Sequence, residues 1–117
     1  MFYMLIIHAD ESIWLNHSEA EQAATMAEHE ALQRHLEKAD QYRGCGGLAP
    51  SSAATTLRRK NGKPFVTDGP YAEAKEQFGG YYIVEVDDLD QAIAAAERIP
   101  ANANTSVEIR PIMDFRR

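Results

Sequence analysis

The sequence predicts an α+β fold: an antiparallel sheet with two helices on one face and an inserted hairpin. Three observations carry this: an apolar opening run, two segments with helix-capping patterns, and an Asn-Gly pair between two β-rich stretches. Residues 2–8 form a short apolar run, as a central strand covered on both faces requires. Ser18-Glu19-Ala20-Glu21 has capping-box spacing, with Ser18 as N-cap and Glu21 reaching back. It opens a helix expected to run to about Ala39. Thr25, His29, Leu32, Leu36 and Ala39 share one side of it at helical spacing. That stripe is thin, so the helix meets a sheet with only part of one face.

Residues 42–48 read as a short Gly-rich strand. Thr55–Arg59 and Pro64–Thr67 flank Asn61-Gly62, the strongest short hairpin signal because both residues tolerate positive φ. Asp68-Gly69-Pro70 ends the hairpin, and residues 80–86 form a clear strand. Asp88 and Gln91 cap a second helix with Leu89, Ala92, Ile93 and Ala96 on one face, stopped by Pro100. Residues 105–113 form the last strand, with Pro111 placing its end at an edge or bulge. The order β-α-β, hairpin, β-α-β is ferredoxin-like. Nothing in the sequence covers the other sheet face, so a second subunit is expected there, giving a homodimer.

At 117 residues, the chain is expected to be one domain, residues 1–117. Its 44% apolar and 26% charged content is that of an ordinary globular protein. With 18 acidic against 12 basic residues, the net charge of −6 argues against nucleic acid or an anionic membrane as partner. A small molecule, of unknown identity, is the expected ligand. Cys45 is the single cysteine, so neither an internal disulfide nor a Cys-rich zinc site can form. The opening run lacks a basic flank and a cleavage site, and His8-Ala9-Asp10-Glu11 ends it early. The expected compartment is therefore cytoplasmic.

The densest unusual stretch is Asp68 to Tyr82, which gathers Tyr71, Lys75, Glu76, Tyr81 and Tyr82 into one loop-to-strand region. Polar groups on a loop against a rigid sheet are where sites form, although a structural corner has the same signature. His29 flanks the inward helical stripe and can act as acid, base or donor; a hydrogen-bonded boundary histidine reads alike. His29-Glu30-Ala31-Leu32-Gln33 lacks the second histidine of a zinc-protease helix, and no metal is expected. Gly46-Gly47 and Gly79-Gly80 fit neither a phosphate loop nor a dinucleotide fingerprint, so no cofactor is expected. Arg58, Arg59, Lys60 and Lys63 make a basic hairpin tip, most simply a solvated end.

Several segments together resemble the YCII-related family, in its DGPF-motif subgroup. They are Tyr3-Met4-Leu5-Ile6, Gly46-Gly47-Leu48-Ala49-Pro50, Val66-Thr67-Asp68-Gly69-Pro70-Tyr71-Ala72-Glu73, Lys75–Tyr82, Asp87–Ala92, Arg98-Ile99-Pro100 and Val107–Pro111. Tyr71 stands where the subgroup name has Phe. The resemblance implies sheet-to-sheet pairing into a dimeric α/β barrel. It implies a proposed catalytic His at His29 with an acid partner, for which Asp68 is the candidate. Tyr71, Lys75, Glu76 and Tyr81 would then contact substrate. It also implies a setting beside extracytoplasmic-function sigma factors, in which the chain is either an enzyme or a non-catalytic regulatory module.

Overall fold

A computed structural model describes residues 1–101 and 104–113. The elements run β1 (Phe2–Ala9), α1 (Glu11–Leu15), α2 (Glu19–Lys38), β2 (Tyr42–Gly47), a 3-10 turn (Ser51–Ala53), β3 (Thr55–Lys60), β4 (Lys63–Asp68), β5 (Gln77–Glu85), α3 (Leu89–Glu97) and β6 (Ser106–Pro111). Four strands make an antiparallel sheet in the order β2-β5-β1-β6, consistent with a ferredoxin-like α+β fold. The hairpin β3–β4 forms a separate two-stranded sheet.

The strand order follows from the sequence pattern. β1 sits between β5 and β6, which suits its unbroken apolar run. β6 is an edge strand, so Pro111 withholds an N–H where none is needed. Asn61 and Gly62 take φ of 52° and 77°, the positive pair that a two-residue hairpin turn demands. Gly80 is glycine for another reason: a Cβ there would meet the Gly46 carbonyl oxygen at 2.9 Å, forcing β2 off β5.

Alternation along the strands separates two faces. Tyr3 and Leu5 of β1 pair with Val84 and Tyr82 of β5, and this set faces the helices. Leu32 and Leu36 of α2 and Ala92, Ala95 and Ile99 in and after α3 complete the core. Leu5, Leu36 and Val84 are fully enclosed, so Leu36→Ala would cost about 2–5 kcal/mol. The opposite face carries Met4, Ile6 and Ile83, with a His8–Glu108 hydrogen bond and an Arg43–Glu85 ion pair at its borders.

Helix α2 begins as its capping box requires. Glu21 N–H donates to Ser18 Oγ at 3.1 Å, and Ser18 N–H donates to Glu21 Oε1 at 2.9 Å. Three expectations need correction. First, the structure has a third helix, α1, which starts where Asp10 Oδ1 accepts from Ser12 N–H and Oγ at 3.0 and 2.7 Å. Second, β5 starts at Gln77, because Gln77 and Phe78 pair with Ala9 and His8 beyond a bulge. Third, α3 turns Ala92, Ala95 and Ile99 inward and leaves Leu89 and Ile93 partly exposed. Alanine on the sheet-facing side lets the helix backbone lie close to β1 and β6. No helix of the described residues is long and apolar enough to cross a membrane.

Candidate functional site

A cleft of about 500 Å³ opens between α1, the first half of α2, and the ends of β1, β2 and β5. That volume lies within the range of small-molecule sites. Its walls include Ile7, Trp14, His17, His29, Cys45 and Tyr82. Each arrives by a local rule. His29 follows the inward stripe of α2 one turn before Leu32 and is half-buried. Tyr82 has the same strand parity as the core residue Val84, so its ring points beneath α2.

His29 Nδ1 and the Tyr82 hydroxyl are 2.7 Å apart. Their rings lie nearly parallel, 13° between planes and 5.9 Å between centroids. The hydroxyl's other acceptor, the His29 carbonyl oxygen, is 3.5 Å away. We assign the Tyr82 proton to the shorter bond, which makes Nδ1 the acceptor and leaves Nε2–H as the ring's donor. Burial lowers the His29 pKa, partly opposed by the Glu28 carboxylate, so the imidazole is neutral at pH 7. Burial pushes the Tyr82 hydroxyl up to about 12, with Cys45 and Tyr42 adding to the shift. The pair is two neutral groups, and what it offers a ligand is an oriented N–H donor.

Tyr42 donates to Cys45 Sγ at 3.2 Å, and chiefly this bond raises the Tyr42 pKa to about 12. On the other side, Trp14 meets the His17 ring edge-on at 6.3 Å. His17 Nδ1 is enclosed and has no hydrogen-bond partner among the described residues. Glu11 spans the approach. Its two carboxylate oxygens accept from Ser51 N–H and Ser51 Oγ, both at 2.5 Å, and tie α1 to the 3-10 turn.

Of the residues singled out from sequence, His29, Tyr81 and Tyr82 line the cleft; Tyr81 pairs across the sheet with Gly46. Asp68, Tyr71, Lys75 and Glu76 are exposed and lie outside its walls. Asp68 ends β4 opposite Thr55. Tyr71 lies under the Arg58 guanidinium, 5.6 Å from its ring centroid, and its carbonyl accepts from Arg58 at 3.0 Å. Lys75 acts on the cleft only indirectly, helping to lower the Asp10 pKa behind the Ser12 hydrogen bonds. The partner that the structure gives His29 is thus Tyr82 rather than Asp68. Strand parity was the signal for it, since a residue two before Val84 must share its face. Among the described residues no group of three or more His, Cys, Asp or Glu side chains is placed to hold a metal.

The YCII-related domain matches residues 1–116. The chain belongs to the YCII-related family. An uncharacterized protein of Rhizobium meliloti (strain 1021) is 36% identical over 115 residues, covering 96% of this chain and 92% of that one. In this YCII-related chain, the His29–Tyr82 pair stands in the wall of the cleft.

Proposed function

We propose that the cleft is a small-molecule site in which His29, held by Tyr82, supplies the acid/base and hydrogen-bonding group. The 2.7 Å contact between His29 Nδ1 and the Tyr82 hydroxyl carries this reading. It orients the ring and fixes one tautomer, so Nε2–H can hold or polarise a ligand carbonyl or hydroxyl. A neutral imidazole acting as electrophile is established chemistry for a histidine whose pKa is depressed. Binding of a small-fragment library, followed by NMR on wild type, His29→Gln and His29→Leu, tests it. Binding kept by Gln and lost with Leu supports a donor role; binding unaffected by either sinks the proposal.

A second reading, a non-catalytic ligand-binding or regulatory module, is favoured by one observation. The partner of His29 is a hydroxyl with a pKa near 12, not a carboxylate able to steady an imidazolium. In that case ligand occupancy is the output, and a sigma factor of the extracytoplasmic-function class is the proposed downstream link. Turnover of a bound fragment that requires His29 separates the two readings.

The finer family features belong to the same proposal. Asp68-Gly69-Pro70-Tyr71 supports the DGPF-motif subgroup. Met4, Ile6 and Ile83 on the far sheet face, in a molecule only 19 Å thick, support a homodimer closed sheet against sheet as a dimeric α/β barrel. The radius of gyration of 16.1 Å exceeds the roughly 13 Å of a compact chain this long, which fits a protomer completed by a second copy. An exposed free thiol at Cys45 suits the reducing cytoplasm.

A further inference from the structure

We infer that the cleft selects neutral or cationic amphipathic molecules and rejects anions. This rests on the reading of the cleft as a binding site and names the ligand class it takes. The carboxylates of Asp10, Glu11 and Glu28 belong to its walls, and no Lys or Arg does among the described residues. Asp10 and Glu11 are held in place as acceptors, by Ser12 and by Ser51 respectively. Glu28 is exposed on α2 beside His29 and is free to meet a ligand. Lys75 lies outside the wall and acts on Asp10, and Arg98 lies outside it too, in a neighbouring depression that shares Glu28 and Pro100.

Nor does the cleft hold a titratable cation at neutral pH in its central pair. His29 is held neutral by its burial, so the ring offers an N–H dipole rather than a positive charge. Ile7, Trp14, Leu15, Met26 and Pro100 give the wall apolar surface for a ligand body, beside the polar side chains of Thr25, Tyr81 and Tyr82. An anion placed there would give up its hydration without meeting a Lys or Arg among the described residues, and would face carboxylates. A hydroxyl or an amine on an apolar body meets neither penalty. Phosphorylated, sulfated and carboxylated metabolites are therefore disfavoured as ligands.

The test uses the whole chain and three probes of one skeleton: benzyl alcohol, benzylamine and benzoate. Trp14, the chain's single tryptophan, stands in the wall and reports occupancy by fluorescence, with His29 ring resonances as a second readout. Benzyl alcohol and benzylamine are expected to bind at least about tenfold more tightly than benzoate, a difference of about 1.4 kcal/mol. Glu28→Gln, a surface change, should weaken benzylamine and narrow the gap to benzoate. Benzoate binding as tightly as the amine, no response to any probe, or a selectivity untouched by Glu28→Gln would each overturn the inference. If selectivity holds but His29→Gln and His29→Leu change nothing, the His29–Tyr82 reading falls and the charge selection stands.

Discussion

The Tyr82 hydroxyl and His29 Nδ1, 53 residues apart in sequence, meet at 2.7 Å beneath α2. Each is the other's principal partner, so their energetics are coupled. Tyr82→Phe leaves the half-buried Nδ1 unsatisfied and is expected to cost about 1–3 kcal/mol. His29→Leu strands the hydroxyl and should cost a similar amount. The double variant is expected to be less destabilised than the sum of the singles, as read by urea denaturation. Strict additivity would show that the contact contributes nothing.

The pH dependence follows from the same pair. The pKa of His29 in the fold lies below its ordinary 6.5 because burial disfavours the imidazolium. Between those two values the unfolded chain binds more protons, so stability rises with pH across that window and is lost on acidification from 6.5 downward. NMR titration of the His29 ring should give a midpoint below 6.5. A midpoint above it would mean that a carboxylate reaches the ring and outweighs its burial.

The hairpin makes an independent prediction. Gly62 sits at φ 77°, where a β-branched side chain is strained. Gly62→Val should weaken the β3–β4 pairing by about 1–3 kcal/mol and speed amide exchange there, leaving the four-strand core protected. Equal loss of protection in β1 and β5 would show that the two sheets unfold as one unit.

Self-association has a direct test on the far sheet face. Sedimentation at micromolar concentration should give twice 13.1 kDa. Ile83→Lys, on the face opposite Val84, should yield a folded monomer. A wild-type monomer, or a dimer indifferent to this change, contradicts the sheet-to-sheet arrangement.

Much of the fold was legible because local chemistry settled it. The Ser18–Glu21 box placed the start of α2, and the Asn61-Gly62 pair placed the hairpin turn. Helix α1 escaped notice since five residues show no periodicity, and its only mark is the Asp10 cap. His29 was readable from the α2 stripe. Strand parity put Tyr82 on the helix-facing side, but its meeting with His29 depends on how α2 lies on the sheet, a tertiary fact that no local pattern states. Asp68 stood out by its turn chemistry and by the family resemblance that asks for an acid partner; here its turn closes the base of the hairpin, where Gly69 N–H donates to the Ala54 carbonyl at 2.8 Å.

The two hydrogen bonds that Ser51 donates to Glu11 make the doorway of the cleft adjustable without disturbing the core. The span between α1 and the 3-10 turn is set by the length of one carboxylate side chain, far from Leu5, Leu36 and Val84. Aspartate there would draw the two sides together, and glutamine would keep the span while loosening the grip. Single substitutions at this position would thus change the width of the cleft's mouth while leaving the sheet and its packing unchanged.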